Sequence, residues 1–366
     1  MRLDWLGRPF GRIAMDTTAR YTLASLILLF WLGFFVATPG AVLPLWRTQF
    51  GVLGEMALFF NLQLAGLLVG VGLATRLRRR HPVVPVSAAV LAAAYLGMAL
   101  SPSFGWIVLA AGVAGVAQGV LNVHANGMVG ELHPHTRVLM LNRVNAAFGV
   151  GAVAAPLLLT WLPWRTGFVL VALGWLLAAA LAWGAPEVRE RMGRLTRGML
   201  VQAAPLLAAV GLYVAVESSI SAWSGAYLTE LGYPVRLAGA LLSGYWLLLT
   251  ASRLGLARWV AQEPLGRLYR LTLASLAVLA ALVWPPLAPL FPLVAVFYGP
   301  IFGTSFAALQ GRFGQELTAG MFYAAAVGGT LGPALFAVLP GPRWIPLGFL
   351  LLGVLLLAAV RRARAG

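Results

Sequence analysis

Of the ten acidic residues in this chain, only Glu217 lies well inside a long apolar stretch. It belongs to the series Tyr213, Glu217, Ser221, Ser224, spaced four, four and three apart, which sets all four on one face of a helix. An ionisable group surrounded by lipid costs several kcal/mol, so that face must turn to protein or to water. A carboxyl group held there can take up and release a proton as access changes, or ligate Na⁺ with the neighbouring hydroxyls. The plainer alternative is a hydrogen-bonded tie between helices.

A second set is neutral. Gln118, Asn122 and Asn126 recur every four residues, and Asn142, Asn145 and Gly149 follow at three and four. Amides that both donate and accept suit an uncharged, polyhydroxylated ligand, and the same residues also serve to bond helices together. Trp223 and Tyr227, with Trp31, Tyr245 and Trp246, offer ring faces that can stack on the apolar side of a pyranose or pack at a membrane interface. His124 sits about 200° around the helix from Asn122 and Asn126, so a packing role is expected of it. Arg143, Arg253, Glu131 and Glu316 stand at or near predicted helix ends. They read as gating or anchoring charges, whose pairs form in one access state and break in another. The sequence Gly299-Pro300, with Gly303, Thr304, Ser305 and Gln310 after it, predicts a broken helix whose freed carbonyls line a cavity.

Enzyme chemistry has little to stand on. The chain has no cysteine, and its compact histidine cluster, Glu131-Leu132-His133-Pro134-His135, lacks metal-site spacing. No cofactor, no metal and no enzymatic activity are expected; an integral-membrane enzyme is the remote alternative.

The elements that must position these residues are apolar almost throughout. Apolar residues make up 61% of the chain and charged ones 10%. A hydrocarbon core about 30 Å thick takes roughly 20 apolar residues of helix, and twelve stretches meet that need. They read as 20–46, 52–75, 82–101, 104–131, 138–162, 165–184, 200–229, 234–257, 268–284, 287–310, 317–339 and 343–360. The expected fold is an all-α membrane protein of twelve transmembrane helices in two six-helix halves, residues 1–190 and 191–366, divided at the polar segment Pro186–Arg197. A faint repeat supports the division: Ala147 to Pro156 in the fifth span aligns with Ala324 to Pro333 in the eleventh, 177 residues on.

All 26 basic residues are arginine. With a cytoplasmic N-terminus only Arg47, Arg165, Arg236 and Arg343 fall outside, leaving 22 inside. That asymmetry predicts the inner (cytoplasmic) membrane with both termini in the cytoplasm. The net charge of +16 then needs only anionic inner-leaflet lipid as partner, and no nucleic acid. No cleavable leader and a monomeric state are expected.

The segment Leu141-Asn142-Arg143-Val144-Asn145 through Gly149, Gly151 and Pro156 resembles the fifth-helix signature of the fucose, galactose and glucose symporters of the major facilitator superfamily. Gly115 to Gly127 and Tyr213 to Leu228 are similar to that family's fourth and seventh helices, and Arg76–Arg80 resembles the superfamily's basic loop after the second. The resemblance implies alternating-access transport of hexoses or deoxyhexoses, driven by H⁺ or Na⁺. The chain departs from it in having no carboxylate in the first span and amides in the fourth, which leaves Glu217 as the carrier of any coupling. The expected function is thus ion-coupled transport of a small neutral sugar or polyol. Glu217 would couple, and Gln118, Asn122, Asn126, Asn142, Asn145, Trp223 and Tyr227 would face the ligand. The nearest alternative is an exporter of amphipathic compounds.

Overall fold

The computed structural model describes residues 16–52, 55–77, 79–133, 137–188, 196–313 and 317–365. The expectations placed on His135 and Glu316, and on the side chains of Asn142 and Gln310, lie outside the described residues.

Among the described residues the regular structure is helical. Six helices come first: α1 (Thr17–Phe50), α2 (Met56–Arg76), α3 (Arg80–Ala99), α4 (Phe104–Leu132), α5 (Arg137–Trp161) and α6 (Trp164–Leu181). Then follow α7 (Arg197–Glu230), α8 (Val235–Gly255), the short α9 (Ala257–Gln262), α10 (Pro264–Ala281), α11 (Val294–Phe313), α12 (Thr318–Ala337) and α13 (Ile345–Ala365). Proline and glycine set the ends. Pro163 precedes α6, Pro264 opens α10, and Gly51 closes α1 at φ 66°, a left-handed conformation that glycine adopts without steric cost.

The break expected at Gly299-Pro300 is not there, since α11 stays helical through Pro300, and two features differ from the spans read in the sequence. The tenth span begins as a 3₁₀ segment, Pro285–Leu293, and becomes α-helical only at Val294. Pro285, Pro286, Pro289 and Pro292 lack the N–H groups an α-helical ladder needs there. Eleven helices among the described residues are long and apolar enough to cross a membrane, and α10 is not one of them. Its 18 residues begin with Arg267 and Arg270 within the first two turns.

The first six helices pack chiefly as α1 on α5, α2 on α4, and α3 on α4 and α6. The later ones pack as α7 on α12 and α13, α8 on α11, and α10 on α11 and α13. The two sets meet along α1–α7, α5–α8 and α2–α12. The internal repeat acquires a physical meaning in this packing. A Cβ on Gly151 of α5 would stand 1.8 Å from the Phe30 carbonyl of α1, and one on Gly328 of α12 would stand 1.9 Å from the Gly211 carbonyl of α7. The repeated glycines, 177 residues apart, mark equivalent crossings at which two backbones touch.

The core near one end of α1 is aromatic. The Trp46 ring lies 5.5–6.1 Å from those of Phe59, Phe104, Trp164 and Phe168. Exposed Leu58, Trp106, Leu173, Leu247 and Leu351 give the outside an apolar surface suited to lipid.

Candidate functional site

Glu217 is buried in α7, and its nearest charge is Arg253 of α8, with Nη2 3.8 Å from Oε1. The arginine does not stay at its helix end. Its Nη2 also donates to the Tyr213 hydroxyl at 3.4 Å, and its Nε donates to the Gly299 carbonyl of α11 at 3.3 Å. Tyr213 stands one turn before Glu217 on the same helix. Glycine at 299 is what admits this arrangement: a Cβ there would stand 1.9 Å from Ser252 Oγ and 2.8 Å from the Arg253 nitrogen. With no side chain in the way, α11 lies directly against α8 and its carbonyl comes within reach of the guanidinium.

Three helices thus converge on one ion pair, its carboxylate buried and its guanidinium half-buried, with a hydroxyl and a backbone carbonyl beside it. Tyr298 of α11 packs its ring 5.9 Å from that of Tyr213. Tyr245 of α8 lies close enough to feel the charges of both Glu217 and Arg253, and its buried hydroxyl has no hydrogen-bond partner among the described residues. Burying the Glu217 charge is costly, and its attraction to the half-buried Arg253 offsets that cost only while both remain. Further along the predicted stripe, Ser224 donates to its own helix at the Ile220 carbonyl, and Ser221 Oγ is buried without a partner among the described residues.

The amides are placed differently. Gln118 is buried, and its Oε1 accepts from Gln63 Nε2 of α2 at 3.3 Å, a bond between adjacent helices. Asn126 Nδ2 donates to the Asn122 backbone carbonyl at 2.9 Å, within α4. Asn122 is half-buried and Asn145 exposed. Trp223 donates its indole N–H to the Pro333 carbonyl of α12 at 2.9 Å, and its ring lies 6.2 Å from Phe60 of α2. Tyr227 lines a small, largely apolar cavity with Ser224, Leu282, Phe291 and Phe349. Trp31 packs its ring against Gly174, locking α1 to α6. His124 is buried, with Nε2 unpartnered among the described residues.

Of the charges read as gates, Arg253 belongs to the Glu217 cluster. Glu131 accepts from Arg80 Nη1 at 2.9 Å, and Arg80 donates also to the carbonyl of Glu187, in the segment after α6, at 3.2 Å. Arg143 is exposed and donates to Met140 Sδ. Two further contacts, which sequence spacing could not suggest, join the early helices to the late ones at the end opposite the Arg76–Arg80 turn. Arg47 of α1 pairs with Glu230 of α7 at 2.9 Å, and Arg236 of α8 lies over the Trp161 ring of α5 at 4.6 Å. Among the described residues no group of three or more His, Cys, Asp or Glu is placed to hold a metal ion.

This architecture is shared. The family model described as Major Facilitator Superfamily matches residues 23–337, and the chain belongs to that superfamily as a multi-pass membrane transporter. No curated protein sequence matches it. Among solved structures it is similar to the nucleoside transporter NupG, with 12% identity over 95% of this chain and 99% of that one and a TM-score of 0.74. It is similar also to a bacterial homologue of the human drug peptide transporters PepT1 and PepT2, with 12% identity over 96% and 98% of the two chains and a TM-score of 0.73. A bacterial homologue of the human lysosomal transporter Spinster, in an inward-facing and unoccupied conformation, aligns at 14% identity over 94% and 95%, with a TM-score of 0.68. At these identities the likeness is one of fold.

Proposed function

We propose that the chain is a secondary active transporter that moves a small neutral, hydroxyl-rich solute of the sugar kind by alternating access, with Glu217 as its ion-coupling group. The observation that carries this reading is the pairing of buried Glu217 with Arg253, beside the Tyr213 hydroxyl and the Gly299 carbonyl. A charge pair with its carboxylate buried contributes little net stability, and it makes sense as an element that is remade when the carboxylate changes state. The half-buried Asn122, the exposed Asn145 and the resemblance of the fourth, fifth and seventh helices to sugar symporters support the solute class. The arginine distribution supports the inner membrane, with the Arg76–Arg80 turn and both termini cytoplasmic.

A specific observation favours a second reading, export of amphipathic compounds. The donors of Gln63, Asn126 and Trp223 are spent on protein acceptors, which leaves fewer free groups for a sugar's hydroxyls.

The test is uptake of labelled glucose, galactose and fucose into proteoliposomes under separately imposed H⁺ and Na⁺ gradients, for wild type and Glu217→Gln. Sugar accumulation that follows a gradient and is lost in Glu217→Gln is the expected result. No flux of any of the three sugars, alongside ion-driven movement of a lipophilic dye, would establish the exporter reading instead.

A further inference from the structure

We propose that the exposed side of α10, where its first turns run between α9 and the end of α13, seats an anionic glycerophospholipid. Arg270 and Arg364 hold the phosphate, and the acyl chains lie along α10.

Charge is unevenly matched around the helix ends that carry the arginines. Among the first six helices and their turns, Arg80 pairs with Glu131 at 2.9 Å, Arg79 pairs with Glu187 at 3.5 Å, and Arg20 donates to the Leu181 and Trp183 carbonyls. Residues 257–270 and 358–365 together carry six arginines and a single acid, Glu263. That acid pairs with Arg270 at 2.7 Å. Arg258, Arg361, Arg362 and Arg364 are exposed and have no ion pair or hydrogen bond among the described residues. Like charges gathered this way repel one another, and an anion seated among them relieves the repulsion.

Helical geometry sets the arginines around one strip of surface. With Arg267 at 0°, Tyr269 stands at about 200° and Arg270 at about 300° around α10, while the exposed Leu273, Ala277 and Ala274 stand at about 240°, 280° and 340°. The exposed strip is therefore centred near Arg270, with Arg267 on one flank and Tyr269 on the other. Each flank is fixed by a stacked guanidinium. Arg267 lies over the Trp259 ring of α9 at 4.7 Å and donates to the Trp259 carbonyl and to Gln262 Oε1, which ties α9 down beside the strip. Arg364 of α13 lies over the Tyr269 ring at 5.7 Å. Stacking fixes the plane of the Arg364 guanidinium and leaves its edge N–H groups free to meet phosphate oxygens. Arg270, between the flanks, gives Nη2 to Glu263 and keeps its other donors.

The apolar surroundings favour a lipid over a soluble anion. Leu273 is 48% exposed and Trp259 38%, and Trp284, just beyond the other end of α10, is 63% exposed. A phosphate at Arg270 that carries acyl chains lays them over Leu273, Ala274 and Ala277, whereas a free phosphate leaves that strip bare. Trp259 and Tyr269 stand at the level of the arginines, where amphipathic rings meet headgroups, and the arginine excess marks the side on which anionic lipid is enriched.

The test is native mass spectrometry of the full-length protein in detergent, titrated with phosphatidylglycerol or with phosphatidylethanolamine of the same chains. It compares wild type, Arg270→Gln/Arg364→Gln and Arg76→Gln/Arg79→Gln. The two double variants remove equal charge, and each removes one exposed arginine that has an acidic partner and one that has none among the described residues. Wild type is expected to bind phosphatidylglycerol more tightly than phosphatidylethanolamine. Arg270→Gln/Arg364→Gln should weaken phosphatidylglycerol roughly 30-fold, the equivalent of about 1 kcal/mol for each arginine, and Arg76→Gln/Arg79→Gln should stay close to wild type. Equal losses in the two double variants would overturn the site, because charge would then act without regard to place. Equal binding of the two lipids by wild type would overturn it as well. Excess glycerol phosphate should leave the phosphatidylglycerol adduct in place, and its displacement would show a soluble-phosphate site instead. Should Arg270→Gln/Arg364→Gln fail to fold, Arg364→Gln alone replaces it, with about a fivefold loss expected and an unchanged affinity counting against the site. Solute flux enters none of these readouts, so the outcome is independent of the sugar reading.

Discussion

Arg80 and Glu131 show how much a single residue can carry in this bundle. Their side chains are 2% and 7% exposed, and neither charge has water to fall back on. Removing Glu131 leaves Arg80 buried without its carboxylate, at a cost of about 3–5 kcal/mol. Glu131→Gln is therefore expected to lower stability by about that amount, read as a drop in Tm of the purified protein. Glu230→Gln, in a pair whose side chains are 30% and 49% exposed, should cost no more than about 1 kcal/mol. Equal effects from the two substitutions would show that burial does not set the worth of these pairs. Sequence spacing identified Glu217 correctly as a residue inside a span, because the face of a helix is written in its own periodicity. Its partner was not legible in the same way. Arg253 reads as a helix-end charge, and only the antiparallel register of α8 against α7 shows that its long side chain reaches back to Tyr213 and Glu217. The Gln63–Gln118 bond was hidden for the same reason, since nothing in α4 alone says which residue of α2 stands opposite.

At the scale of elements, the legible features were those fixed by local composition. Length and hydropathy located the helices to within a few residues, because each must bury its own backbone polar groups. The 3₁₀ stretch Pro285–Leu293 departs from this because hydropathy is blind to missing donors, although its four prolines were in plain view. The repeat of Gly151 and Gly328 was legible as a pattern, and its cause, two backbone contacts, was not. It leads to a prediction about packing. Gly151→Val places branched carbon where the Phe30 carbonyl already stands, so α1 and α5 must part, and Tm and folded yield should both fall sharply. Gly97 of α3 has open space at its Cβ position, and Gly97→Ala should hold Tm or raise it, by up to about 1 kcal/mol of helix propensity. A Gly151→Val protein as stable as wild type would mean that the α1–α5 crossing yields readily, and the structural reading of the repeat would fail with it.

For the whole molecule, the decisive contacts are those between the early and the late helices, because the alternating access proposed above requires some of them to break. At the end opposite the Arg76–Arg80 turn, α1 and α7 are joined by the Arg47–Glu230 pair at 2.9 Å. Nearby, a Cβ on Gly225 of α7 would lie 2.6 Å from the Gly40 carbonyl of α1. α5 and α8 are joined at the same end through Trp161 and Arg236. The early and the late helices therefore touch there, and opening that end for transport must separate all of these contacts. An exposed ion pair contributes little energy, so its loss alone should change the balance between states only modestly. A covalent tie should act differently. The chain has no cysteine, so Arg47→Cys/Glu230→Cys introduces the only two thiols, and a short bifunctional thiol reagent can bridge them. Bridging is expected to abolish flux in proteoliposomes while leaving Tm unchanged or higher, and cleavage of a reducible bridge should restore it. The single variants treated with the same reagent supply the control for modification without bridging. Undiminished flux through the bridged protein would mean that α1 and α7 need not part at this end, and the contact seen here would then be ordinary packing and not a gate.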